Sequence, residues 1–257
     1  MTISADTTDA PIDASCSGTA GSTTLSATNA SFAAGQHILI IQMRGTDAGK
    51  WQKTKIAAYT AGTITTEDAL SISYNSTGAN KAQVIVMKRY TNVTVDATKT
   101  WTAKAWDGSV GGVLTFLANG TVAVNGTITA SGKGFLGSTQ SAGDFSTAGQ
   151  GEGTGGDRNT QSTAANGNGG GGAQGNSGSA KPGGGGGGNG VAGSNGGSGD
   201  STPGTGGSTA GNAALTQMCM GGGGGGGYND GSGGTRALGN PGGGIIFFYG
   251  KTVTMGG

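Results

Sequence analysis

Along the first third of the chain, apolar residues fall in short runs with a period of two. Gly35 leads into His37-Ile38-Leu39-Ile40-Ile41-Gln42-Met43, an apolar run of strand length entered through a glycine turn. Thr63-Ile64-Thr65 follows the turn signal Ala61-Gly62. Leu70, Ile72 and Tyr74 alternate with serines, and Gln83-Val84-Ile85-Val86-Met87 is a second buried run. β-Branched residues recur and no stretch carries a helical period. The pattern predicts an N-terminal strand or arm over 1–14 and a small all-β barrel or sandwich module over 15–90.

An internal repeat follows. Gly111-Gly112-Val113-Leu114-Thr115-Phe116-Leu117 runs through a tight turn to Thr121-Val122-Ala123-Val124-Asn125-Gly126. Gly243-Gly244-Ile245-Ile246-Phe247-Phe248-Tyr249 runs in the same way to Thr252-Val253-Thr254-Met255-Gly256-Gly257. A weaker copy pairs Asn92 to Ala103 with Thr121 to Ala130. Short strands recurring with turns predict coils of a parallel β-solenoid over 91–130 and 242–257.

Between those two parts lies a glycine-rich insertion, 131–241, with runs at Gly169–Gly172, Gly183–Gly188 and Gly221–Gly227. Glycine offers no side chain to bury and loses the most backbone freedom on ordering. Such a tract is either a flexible tether or a structure held by main-chain hydrogen bonds. Separate runs of similar length favour the second, as left-handed helices with three residues per turn packed side by side. Those helices have no internal hydrogen bonds, so buried amides must pair with neighbours.

Composition narrows the function classes. The 257 residues include 60 glycines, 33% are hydrophobic, 11% are charged, and the formal net charge is +1. That balance gives no electrostatic reason to expect nucleic acid or an anionic membrane. No apolar run approaches a membrane span, and the opening residues carry no Sec-type signal pattern. A neutral, hydroxyl-rich chain suits an extracellular setting. Cys16 and Cys219 form either one disulfide or two free thiols.

Candidate chemistry is sparse. His37 is the only histidine, and neither GxSxG, HExxH nor a Walker motif occurs. Glu67 and Asp68 are adjacent, and adjacent strand residues point to opposite faces, which argues against a paired-carboxylate site. Trp51, Trp101 and Trp106 either stack on sugars or fill a β core. Met218-Cys219-Met220 is read as an apolar plug ahead of a soft metal site. The sequence therefore predicts no catalytic residues, no cofactor and no metal.

Two resemblances bear on function. Phe32 to Val86, with its F-A-A-G-Q-x-I-L-I-I-Q spacing, resembles small β-modules that precede β-solenoids in phage tail proteins and bacterial surface proteins. The glycine runs at 167–173, 182–190 and 220–228 resemble the polyglycine-helix sandwich of receptor-binding adhesins at the tail-fibre tips of T-even-type phages. The second resemblance implies ligand-binding loops between helices, with Phe145 and Tyr228 as the aromatic candidates for a receptor or glycan.

The two ends read together suggest assembly. The first repeat continues as Thr127-Ile128-Thr129-Ala130, and Thr2-Ile3-Ser4-Ala5 has the same pattern. The expectation is a head-to-tail homopolymer in which the N-terminal strand of one copy completes the open coil of the next. Its interface would be Thr2, Ile3, Ser4 and Ala5 against Thr252, Val253 and Met255. The function classes are a fibre subunit first, a receptor- or glycan-binding adhesin second, and an ice-binding protein third.

Overall fold

In a computed structural model the chain is all-β. The structure describes residues 1–142, 146–175, 181–228 and 237–256, and none of these is helical. The strands among them are β1 (Thr2–Ile3), β2 (Thr7–Thr8), β3 (Asp13–Ser15), β4 (Thr24–Ser26), β5 (His37–Arg44), β6 (Trp51–Thr60), β7 (Thr63–Thr66), β8 (Lys81–Val86), β9 (Lys88–Tyr90), β10 (Val93–Val95), β11 (Thr100–Thr102), β12 (Val113–Val124), β13 (Thr127–Thr129) and β14 (Ile245–Met255).

Six of these form an antiparallel sheet in the order β3-β8-β5-β6-β7-β4. The sheet curls, because Ser17, just past β3, bridges to Ser26 of β4. Its central strand β5 carries the unbroken apolar run Ile38–Ile41 because both faces are covered. Ile38 and Ile40 pack with Leu25, Phe32, Ile56, Ile64 and Val84 on one side. Leu39, Ile41 and Met43 pack with Trp106, Phe135, Met218 and Met220 on the other. The module's limits differ slightly from the sequence reading. Asp13 and Ala14 already belong to it through β8, whereas Lys88–Tyr90 leaves it to pair with β12.

The remaining strands are parallel. One sheet runs β1-β10-β12-β14, with β9 beside the first half of β12, and a second runs β13-β11-β2. The register reproduces the internal repeat. Val113–Ala118 pairs with Ile245–Gly250, Thr121–Val124 pairs with Thr252–Met255, and Val93–Val95 pairs with Val122–Val124. Thr100–Thr102 pairs with Thr127–Thr129 in the same way. In-register stacking puts like residues in columns, and the inward columns make the core. Phe116 lies between Trp101, 5.1 Å away, and Phe248, 4.7 Å away, both stacked. Full burial of such side chains stabilises by about 1.5–3 kcal/mol each.

The glycine-rich segment between β13 and β14 is held differently. The amides of Gly221, Gly224 and Gly227 donate to the carbonyls of Gly243, Asn240 and Ala237. Those of Gly222, Gly225 and Tyr228 donate to Gly188, Gly185 and Pro182, and those of Gly223 and Gly226 donate to Glu152 and Gly149. Gly170 and Ala173 in turn donate to the carbonyls of Gly223 and Gly226. Every third residue thus returns to the same neighbour. A β-strand alternates between two sides, whereas these hydrogen bonds repeat every third residue. The neighbours come close enough to exclude side chains. A Cβ at Gly222 would overlap the Asn168 carbonyl oxygen, and one at Gly225 would overlap that of Gly171.

Candidate functional site

The sheet edges are the first candidate. β1 and β14 are the two outer strands of one parallel sheet. Across β1, β10 and β12, the column of Ile3, Val95 and Val124 is 2%, 0% and 8% exposed. Met255 stands in that same column on the last rung and is 73% exposed. Val253 stands in the column of Val93 and Val122, both 0% exposed, and is 44% exposed. Ile246 and Tyr249 are exposed on the same strand. A core column therefore runs out to an exposed edge, with none of the described residues covering it.

The structure places the sequence-predicted interface residues at opposite edges. Thr252, Val253 and Met255 lie on β14. Thr2 and Ile3 lie on β1, paired with Thr94 and Val95, and Ser4 and Ala5 lead from it toward β2. Within one chain Ile3 stands beside Val95, so the expected contact of Thr2–Ala5 with β14 is one between copies. The reason is distance, because β10 and β12 separate β1 from β14, and successive strands are about 4.8 Å apart. Asp6 and Asp9 fix the arm where it lies. Asp6 accepts a hydrogen bond from the Thr100 amide at 2.9 Å, and the Asp9 amide donates to the Thr102 carbonyl at 2.7 Å.

The second candidate is a buried ionic cluster joining the antiparallel sheet to the glycine-rich segment. Arg44 ends β5 and is fully buried. Its Nη1 donates to Glu152 Oε1 at 2.5 Å and also to Asp157, and its Nε donates to the Ala79 carbonyl at 3.0 Å. Glu152 Oε1 also accepts from Trp106 Nε1 at 2.9 Å, and Oε2 accepts from the Leu136 amide at 3.0 Å. The Glu152 carbonyl takes the Gly223 amide. Burial pushes the Glu152 carboxyl up from its usual range, against the hydrogen bonds from Leu136 and Trp106 and the Arg44 charge. Sequence reasoning missed this cluster. The available signal was a lone acid in Gln150-Gly151-Glu152-Gly153, where no solvated charged face exists. Such a cluster fixes two parts of a fold against each other.

Other singled-out residues take structural places. Trp101 and Trp106 are buried, and Trp51 meets Phe247 edge-on at 5.0 Å while donating to the Leu215 carbonyl at 2.6 Å. Glu67 pairs with Lys55, whereas Asp68 accepts from the Thr54 hydroxyl. His37 is half-buried at the start of β5, its pKa held down by burial and by Arg89, Lys55 and Lys53. Tyr228 is buried against Ala142 and Ala148 with Lys181 over its ring, so it is no exposed ligand contact, contrary to the sequence expectation. Phe145 lies outside the described residues.

The structure does not join Cys16 to Cys219. Both are free thiols, Cys16 inside the antiparallel sheet's core and Cys219 half-buried near Gly49. Burial raises both thiol pKa values. Alkylation at about pH 8 is expected to be slow at Cys219 and to reach Cys16 only on unfolding, as read by peptide mass spectrometry. Fast labelling of both in the native protein would contradict this placement.

The chain matches no protein-family model, no curated protein and no solved structure. The functional reading therefore rests on geometry.

Proposed function

We propose that this protein is an extracellular structural subunit that assembles head-to-tail with copies of itself into a filament. The curled antiparallel sheet serves as a barrel-like N-terminal module. The parallel rungs are short solenoid coils. The glycine-rich segment is an inserted bundle of polyglycine II-like helices that stiffens the subunit. One observation carries the reading: Val253 and Met255 are exposed in columns that are buried on every inner rung. A second copy that offers its opposite sheet edge continues both columns and pairs the open backbone of β14. The contact is heterologous and does not close on itself, so it propagates. The low charge of the chain leaves little repulsion between stacked copies.

The test combines size-exclusion chromatography with negative-stain microscopy. The unaltered protein is expected to form filaments of one subunit's width. Val253→Asp with Met255→Asp is expected to give folded monomers, because each stacked interface would bury two unpaired carboxylates. Monomers of the unaltered chain at high concentration, or filaments of the double variant, would overturn the proposal.

An ice-binding role is the second reading. It is favoured by the outward column of Thr8, Thr102 and Thr129 on the second parallel sheet. Ice-recrystallisation assays separate it from the first. A receptor- or glycan-binding role would not use the Tyr228 ring, which is buried.

A further inference from the structure

The head-to-tail reading leaves open how the joint is built, and we infer that the N-terminal arm slides to complete it. The inference rests on the filament reading and specifies its contacts. In the free chain the arm fills two positions on the first rung. Ile3 stands beside Val95, and Thr7 stands beside Trp101. The second of these is a poor match. The column of Trp101 and Ile128 faces the core, yet its third member is a threonine.

Three open edges point to a better arrangement. β9 pairs with β12 alone, and a groove at β9 is lined by apolar Ile12, Met87 and Tyr90 and by Gln36, His37 and Arg89. β13 is an outer strand, and Ile128 on it is half-buried. β14 is the third edge, and it spans both halves of a rung. Because β12 holds β9 and β10 on one side and β14 on the other, the same register carries over to a neighbour. β14 of one copy would lie along β9 and β10 of the next, with Tyr249 beside Arg89, Val253 beside Val93 and Met255 beside Val95. The arm reaches β10 at Thr94 and Val95 alone.

For β14 to enter, the arm must leave β10 and give up the Asp6–Thr100 and Asp9–Thr102 hydrogen bonds. It has a place to go. Thr2-Ile3-Ser4-Ala5 has the pattern of Thr100-Trp101-Thr102-Ala103 and of Thr127-Ile128-Thr129-Ala130. Moved along into the position now held by Thr7 and Thr8, it pairs with its own β11 on one side and with β13 of the neighbour on the other. Ile3 then sits between Trp101 and the neighbour's Ile128, and an apolar side chain replaces Thr7 in the core column. Each joint rung would take two strands from one copy and its third from the next. No β edge at the joint is left unpaired.

Two cysteine pairs test the slide, each in a Cys219→Ser background. Adjacent parallel strands put paired Cα atoms about 4.8 Å apart, within disulfide range. Thr2→Cys with Thr94→Cys ties the arm to β10. Oxidised, this variant is expected to stay monomeric, and reduction is expected to restore filaments. Thr2→Cys with Thr127→Cys is expected to yield ladders of covalent oligomers when filaments are oxidised. As a check independent of folding, a peptide of residues 1–9 in excess is expected to shorten filaments of the unaltered protein. Oxidised Thr2→Cys/Thr94→Cys chains that polymerise like the unaltered protein would overturn the slide and leave head-to-tail stacking intact. An unaltered chain that never polymerises would overturn both.

Discussion

Gly222→Ala is expected to destabilise the protein strongly, whereas Gly224→Ala, two residues away in the same glycine run, is expected to be neutral or slightly stabilising. The difference follows from which neighbour each Cβ would meet. At Gly222 a methyl group runs into the Asn168 carbonyl oxygen, which is main chain and cannot swing aside. At Gly224 the nearest atom is 3.5 Å away, an ordinary contact. Overpacking of a rigid site costs about 1–3 kcal/mol, and a backbone obstacle puts Gly222→Ala at the upper end. For a chain of this size that is roughly 6–12 °C in Tm. A compatible Gly→Ala change stabilises by about 0.4–1 kcal/mol through the unfolded chain. Thermal unfolding of the two variants side by side checks this. Equal effects would mean that the glycine runs are loosely packed.

Glu152→Ala is expected to cost about 3–5 kcal/mol, because it leaves the buried Arg44 guanidinium with Asp157 as its remaining carboxylate partner and frees the Trp106 and Leu136 N–H groups. Denaturant melts measure it, and a loss under about 1 kcal/mol would show that the cluster is not what joins the two parts. Replacing both charges, as Arg44→Met with Glu152→Met, is expected to cost far less, since both desolvation penalties vanish together. A pH dependence follows from the raised Glu152 carboxyl. The folded chain holds that proton more tightly than the unfolded one. Stability from this group is therefore fully present below the ordinary carboxylate range and is lost as pH rises through the raised value. Glu152→Gln should remove that slope.

Much of the fold was legible in the chain. The strand at His37–Arg44 announced itself by the apolar run Ile38–Ile41, because a strand buried on both faces needs no alternation. The parallel register of β12 on β14 was legible because in-register stacking repeats like residues in columns. The glycine runs showed their spacing but not their partners, since a hydrogen bond between main chains leaves no side-chain signature. Arg44 and Glu152 were hidden for a related reason. They are 108 positions apart, and each alone looks like a surface charge. The arm's place beside β10 was also out of reach. Thr2-Ile3-Ser4-Ala5 matches the third strand of a rung by sequence, and only the topology shows that the chain's own third-strand position lies across the sheet.

The account depends on main-chain amides cementing the glycine-rich half, and hydrogen exchange of those amides tests it most directly. Gly170–Gly172, Gly185 and Gly222–Gly227 all donate to carbonyls of neighbouring segments. Their amides are expected to exchange as slowly as those of β5 and β12, opening only with the whole molecule. Exchange at the rate of an unstructured peptide across these runs would contradict the account.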